Sequence, residues 1–378
     1  MPDYVNPFFY SPSPGLFPPE SDRLSVHQKM LKVGLNTGNM MFASALHRVL
    51  GSEAGSAWAP RVEDFDAEKV GADHDCVVIA AANWLQPRSD FGALAEKLEK
   101  TGLPCFLIGL GAQAGSFSAR PELPEGTRRM LDVVSHRSNK IAVRGPFTAE
   151  VLKTVGIENV EVTGCPSLLV ASDNHIEKPA QTPQRIGIAG SRGAPNDKLL
   201  VAKQITHTLS RKLSQLMLDQ PLDFIAQAEI PDINILMSQG RYDDVRPDWI
   251  EFLEKYYGAG IDRISSAITE KMNVFFNIPD WLDYLKDMDF IVSTRLHGTI
   301  AALIAGTPTL LIVHDSRTRE MFEIMGIPSV PAEDIDPDAI DFKALYDSVD
   351  TNKFTVGLPA YRARYIRFFE ENGLRHNL

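Results

Sequence analysis

The chain has little of what marks a secreted, membrane-spanning or metal-holding protein. It carries three cysteines, Cys76, Cys105 and Cys165, odd in number and far apart. No disulfide framework can be drawn from them, and they are expected as buried free thiols in a reducing compartment. No apolar run reaches the ~18 residues that span a bilayer, and the longest candidate, Ala301 to Val313, is broken by Gly306 and Pro308. The opening stretch MPDYVNPFFYSPSPGLFPPE has no basic start and no apolar centre, which is not the form of a secretory signal. A cytoplasmic location is the expectation. The sequence contains no HExxH, no CxxC, no glycine-rich loop ending in Lys-Ser/Thr and no Gly-x-Ser-x-Gly elbow, so zinc, P-loop nucleotide and serine-hydrolase chemistry have no handle. Positive charge is short as well. Against 49 Asp and Glu stand 38 Lys and Arg, a formal net charge of −11, which argues against a nucleic-acid surface but not against a small anion held by a few local arginines.

What is present is a globular composition, 44% apolar and 23% charged over 378 residues, long enough for two domains with a core each. Short apolar runs alternate with amphipathic stretches, the pattern of parallel βαβ units. In the first half, strands are expected at Lys32–Asn36, Cys76–Ala81, Cys105–Gly109, Ile141–Arg144 and Val160–Thr163. Several are continuously apolar, as in a sheet covered by helices on both faces. A polar, Pro-bearing stretch, Ser172–Gln184, reads as a linker, after which the pattern restarts with strands at Arg185–Ala189, Leu222–Ala226, Val274–Asn277, Asp289–Ser293 and Thr309–Val313. An amphipathic helix, Ala360–Glu371, closes the chain. The expected fold is α/β: an N-terminal arm (1–30), a Rossmann-like domain (31–171), the linker (172–184), a second doubly wound domain (185–355) and a C-terminal helix (356–378) returning to the first domain.

In such sheets ligands sit beyond the carboxyl ends of strands, at helix N-termini. The strongest junction is DFIVSTRLHGTIAALIAG, residues 289–306. Its strand ends at Ser293, and Thr294, Arg295, Leu296, His297 and Gly298 lead into an apolar helix. Free N–H groups at a helix start favour an anion, Arg295 adds a two-pronged cation suited to phosphate or carboxylate, His297 adds a group that exchanges protons near neutrality, and Gly298 lets a ligand approach the backbone. Weaker junctions place Asn36, Thr37, Gly38 and Asn39 after the expected first strand, Gln113 in LIGLGAQAG, Arg144 before a helix opened by Pro146, Arg192 in a Gly-flanked loop, and His314, Asp315, Arg317 and Arg319 after the last long strand. Asn39, Gln113 and Arg144 are candidates for an acceptor side. Gly109-x-Gly111-x-x-Ala114 nominally fits a dinucleotide fingerprint, but it is not in the first βα unit and no helix pattern follows directly.

The segment STRLHGTIAALIAGTPTLLIVHDSRTREMFEIMG, residues 293–326, resembles the hallmark of the polysaccharide pyruvyl transferase family: Arg-x-His before a helix, then Ala-x-x-x-Gly-x-Pro and a polar cluster. AVRGPFTAEVLKTVGIENVEVTGCPSLL, LIGLGAQAG and LNTGNMMFASALHRVL resemble further family stretches. The opening turn departs from the family pattern with Asn39 in place of Asp, and the late cluster with Arg317 and Arg319 in place of Lys. The resemblance implies a GT-B-like two-domain fold and transfer of a pyruvyl group from phosphoenolpyruvate to a sugar, as a ketal. It also implies that Arg295, Leu296 and His297 bind the donor together with Arg192; Gly298 and Arg317 join them as donor-side candidates from their places at the two junctions. His297 and Arg295 would then be the catalytic pair, with no cofactor or metal. The partners would be phosphoenolpyruvate and a sugar or lipid-linked oligosaccharide, the latter allowing peripheral association with a membrane. Two other readings stay open. One is a nucleotide-sugar glycosyltransferase of the same fold, although the paired Glu residues eight apart that many of those carry are missing from residues 293–335. The other is a non-catalytic glycan- or anion-binding protein.

Overall fold

A computed structural model describes residues 3–378 apart from 15–16, 18–20, 22, 52–55, 114–119, 173–175, 179–180, 191–203 and 314–315, with the side chains of 204–207 and 316–319 also left aside. The described residues form two six-stranded sheets, every pairing parallel. The first holds β1 (Pro7–Tyr10), β2 (Trp58–Ala59), β3 (Cys76–Ala80), β4 (Cys105–Leu110), β5 (Ile141–Val143) and β6 (Val160–Val162), in the order β2-β1-β3-β4-β5-β6. The second holds β7 (Ile186–Ala189), β8 (Leu222–Ala226), β9 (Met272–Val274), β10 (Phe290–Ser293), β11 (Thr309–Val313) and β12 (Ser329–Pro331), in the order β12-β11-β10-β7-β8-β9. Counted from its own first strand, the second order is the doubly wound dinucleotide-binding one, and the first begins like a flavodoxin sheet. The winding reverses between β7 and β10 in the second and between β1 and β3 in the first, which is where open α/β sheets form their crevices. The expected pair of Rossmann-like α/β domains is what the chain forms.

The central strands are buried end to end, as in CVVIA of β3 and TLLIV of β11. Six helices matter for the site: α1 (Asn39–Leu50), α2 (Pro146–Lys153), α3 (Ile230–Met237), α4 (Leu296–Ala305), α5 (Ser316–Met325) and α6 (Asn352–Asn372). Pro146 takes the first helical position of α2, where its missing N–H costs nothing. α4 stops at Gly306, which adopts a left-handed φ of 84°.

The expectation at the N-terminus is corrected. Lys32–Asn36 is a turn, not a strand, with Gly34 and Leu35 at φ 58° and 60°. The first strand is instead Pro7–Tyr10, inside the stretch expected as an arm, and it sits between β2 and β3. Its proline is at the first strand residue, where no ladder bond is lost. α6 also begins earlier than Ala360, with Pro359 inside it. Buried Phe354 and Leu358 hold the turns before the proline to the core.

The core is three apolar clusters. One lies within the first domain, and one fills the second but also takes in Met30, Val33 and Met40 from the turn and helix at the start of the first. The third joins α1, α4 and α6 through Phe42, Leu296, Ile300, Tyr361 and Phe368, so it glues the domains together. α6 returns to the first domain as expected. Tyr365 donates to the carbonyl of Gly164 (3.0 Å), Tyr361 donates to that of Cys165, and Asn372 Oδ1 accepts the N–H groups of Asn139 and Lys140 (3.0 and 3.1 Å). All three cysteines are buried and free.

Candidate active site

Where the carboxyl ends of the two sheets meet, a cavity of about 120 Å³ opens. Asn36, Asn39, Ala82, Asn83 and Arg144 line it from the first domain, and Gln227, Thr294, Arg295, Leu296 and His297 from the second.

The second-domain wall is the β10–α4 junction. The Ser293 hydroxyl accepts the N–H of Arg295 (3.0 Å) and lies 2.7 Å from its carbonyl, which tightens the turn out of the strand. Arg295 is the N-cap of α4 and makes no side-chain cap, so its side chain is directed elsewhere. Nε donates to the carbonyl of Gly190 (2.9 Å) and Nη2 pairs with Glu229. The arginine side chain is 14% exposed and the glutamate 1%. Glu229 is itself held by the N–H groups of Gln227 and Ala228 (2.9 and 3.0 Å). A buried pair of this kind is a weak source of stability; here it orients a cation on the cavity wall.

His297 is half-buried, with its ring 5.4 Å from that of Phe42 and Nε2 3.6 Å from the Cys165 sulfur. Cys165 belongs to the first domain, contacts the Ser167 hydroxyl (3.2 Å), and has its carbonyl held by Tyr361. The imidazole thus spans the domain boundary.

The first-domain wall is built around Arg144, which is 2% exposed. Its Nε donates to the carbonyl of Gly109 (2.8 Å) and Nη1 to Asn83 Oδ1 (2.9 Å). A Cβ at Gly111 would lie 3.0 Å from that oxygen and 3.1 Å from Arg144 Cδ. Gly111 of LIGLGAQAG therefore makes room for an arginine and its asparagine. In the turn before α1, Asn36 Oδ1 accepts the N–H of Gly38 (2.9 Å) and Asn39 donates to the carbonyl of Val33 (2.9 Å). Thr37 N–H crosses to the carbonyl of Gln227 (3.0 Å) and ties the turn to the second domain.

A second interdomain contact lies alongside. Glu320 of α5 is buried and accepts both the hydroxyl (2.8 Å) and the N–H (3.2 Å) of Thr148, in the first turn of α2. Burial pushes its carboxyl up to about 7, against the Thr148 hydrogen bonds and nearby Arg144, which favour the charged form.

Of the residues singled out from the sequence, Thr294, Arg295, Leu296, His297, Asn36, Asn39 and Arg144 share this cavity. Gly298 does not line it: a Cβ there would lie 2.6 Å from Ala189 Cβ and 2.9 Å from Gln227 Nε2, so its role is close packing of α4 on β7. Gln113 is also absent from the lining, its N–H tied to Leu85 O (3.1 Å). Arg192, His314 and Asp315 lie outside the described residues, as do the side chains of Arg317 and Arg319. Sequence reasoning missed Asn83, Gln227 and Glu229 and gave Cys165 no part in the site. The signal was available for two of them. Asn83 and Gln227 are the first large polar residues after the apolar runs CVVIA and LDFIA, the position the sheet rule points to.

The chain matches the polysaccharide pyruvyl transferase family over residues 5–316 and belongs to it. It is therefore a transferase. No curated protein sequence matches it. Solved structures give distant likenesses. A UDP co-structure of MnaA from S. aureus is 13% identical, with 100% of this chain and 92% of that one covered and a TM-score of 0.43. UDP-N-acetylglucosamine 2-epimerase from Rickettsia bellii is 11% identical, with 97% and 98% covered and a TM-score of 0.40. UDP-GlcNAc 2-epimerase from Neisseria meningitidis, bound to UDP-GlcNAc, is 11% identical, with 82% and 80% covered and a TM-score of 0.41. The fold stands on the two sheets themselves.

Proposed function

We propose that the protein transfers a pyruvyl group from phosphoenolpyruvate to two hydroxyls of one sugar, forming a ketal and releasing phosphate. The observation that carries this is the placement of Arg295 and His297 on one cavity wall, at the uncapped start of α4, opposite Arg144. Phosphoenolpyruvate brings a phosphate and a carboxylate, which a helix N-terminus and a fixed guanidinium suit. Its methylene carbon takes a proton, leaving a cationic centre at the adjacent carbon. One hydroxyl adds there and loses its proton. Phosphate then departs, and the second hydroxyl closes the ketal and loses its own. One released proton balances that taken up by carbon, and the other leaves with phosphate. The scheme calls for no metal or cofactor.

His297 is assigned as proton donor to the methylene carbon, a step for which general acid help is worth about 10²–10⁴-fold. Asn39 and Arg144 face the acceptor, a sugar of a polysaccharide or its lipid-linked precursor. Incubation with phosphoenolpyruvate and candidate glycosides, followed by phosphate assay and mass spectrometry, tests the reading. Phosphate release with a mass gain of one pyruvate ketal is the expected result. Binding without phosphate release, or turnover of a nucleotide sugar instead, would replace this reading with another.

A further inference from the structure

One side chain in the cavity wall lacks what buried polar groups nearly always have. Gln227, just after β8, is 1% exposed, and its Nε2 has no hydrogen-bond partner among the described residues. A buried amide without a partner forfeits its hydration with nothing in return. We propose that Gln227 is a donor-binding residue, its carboxamide hydrogen-bonding an anionic oxygen of the bound donor. This rests on the phosphoenolpyruvate reading of the site.

The backbone of Gln227 is pinned on both sides. Its carbonyl accepts the N–H of Thr37 (3.0 Å) from the first domain, and its own N–H donates to Glu229 (2.9 Å), the carboxylate that orients Arg295. The space for its amide is made by two glycines, one from each domain. A Cβ at Gly38 would lie 2.5 Å from Oε1, and one at Gly298 2.9 Å from Nε2. The amide thus lies against the first turn of α4, whose N–H groups no side chain caps.

The surrounding chemistry selects the ligand class. Arg295 and the helix start are donors, and so is a carboxamide nitrogen, so the group that satisfies them together is an oxyanion. The terminal amide torsion of glutamine is broad, which lets a ligand draw the nitrogen toward it while the main chain stays in place. A methionine of similar length would fill the same gap without an orphaned donor, so packing alone does not explain the glutamine.

The test uses the full chain with Gln227→Met, which removes the amide at similar volume, and Gln227→Glu, which keeps the shape and adds a negative charge. Melting temperature without ligand and calorimetric affinity for phosphoenolpyruvate are measured for both. The expected result is a Met variant that melts at or above the wild-type temperature and binds about tenfold or more weakly, with the Glu variant weaker still. A Met variant with wild-type affinity overturns the proposal and leaves the transferase reading standing. If the Met variant fails to fold, the Glu variant decides, and wild-type affinity there overturns it. If the wild type binds inorganic phosphate but not phosphoenolpyruvate, and Gln227→Met loses phosphate, the anion contact stands and the donor assignment falls. A wild type that binds neither overturns both.

Discussion

Arg295 and His297 reach the cavity by different means. Two nitrogens of the guanidinium are already engaged, by Gly190 O and Glu229, so its plane is set before any ligand arrives. The imidazole is set by a thiol: Nε2 faces Cys165, whose chain position is held by Tyr361 of α6. If His297 delivers the proton to carbon, His297→Gln keeps much of the shape and hydrogen bonding but lowers turnover by about 10²-fold or more. The wild-type rate at saturating donor then falls as pH rises through one ionisation that is missing in the variant. A residue that only binds would raise KM and leave turnover and pH profile intact, so steady-state kinetics across pH on both proteins separates the roles. Both residues were legible in the sequence, because Arg-x-His at the end of an apolar strand has few other uses. Glu229 was not, since a lone acidic residue before a short helix looks like any exposed cap until the ion pair buries it.

At the scale of elements, the β10–α4 unit depends on close approach to β7. Gly298 has the Cβ of Ala189 only 2.6 Å from where its own would be, with Gln227 Nε2 and Ser293 Oγ at 2.9 and 3.2 Å. Gly298→Ala is therefore expected to push α4 away from the strand, at a cost of about 1–3 kcal/mol, and to weaken donor binding because the helix start carries Arg295 and His297 with it. Thermal unfolding and donor affinity measured on the same variant check this; unchanged values for both would mean that α4 has slack. The central strands of both domains were readable from their continuous apolar runs. β2 and β12, two and three residues long, were not, and the expected strand Val274–Asn277 overlaps β9 only at Val274, because the chain turns into the helix opened by Asn277. Two further exceptions have clear causes. KVGLN mimics a short strand in composition, but two consecutive residues at positive φ make it a turn, and PFFY was hidden in a Pro- and Ser-rich stretch whose composition favours loops.

Among the described residues, the contacts that bridge the cleft include the shared apolar cluster, the Thr37–Gln227 backbone bond, the His297–Cys165 contact and Glu320 on the first turn of α2. The last makes stability depend on pH. Glu320 titrates at about 7 in the folded chain against an ordinary value of 4.5, because burial disfavours its charge. Its contribution is complete below pH 4.5 and is lost as pH rises through 7. Glu320→Gln, which cannot ionise, is expected to melt close to the wild type at pH 5 and to be more stable at pH 8, on the order of 2 kcal/mol. Melting curves of both proteins at the two pH values check the sign; a variant less stable at pH 8 would show that the charged form is the one the interface favours.

From the chain alone one can read two parallel α/β units, the break between them, the returning C-terminal helix and the junction that carries Arg295 and His297. These follow from local patterns, apolar runs of strand length and polar residues where such runs end. What only the tertiary structure decided is which ends face each other. Arg144, Asn83 and Cys165 meet Arg295, His297 and Gln227 because the ends of β5, β3 and β6 are brought opposite β10 and β8 by domain packing. No periodicity encodes a contact between residues as far apart in sequence as Cys165 and His297. For the same reason, the glycines at 38 and 298 read as turn and approach residues in one dimension, and only in three does it emerge that both, besides the packing of α4 on β7 at Gly298, leave room for the amide of Gln227.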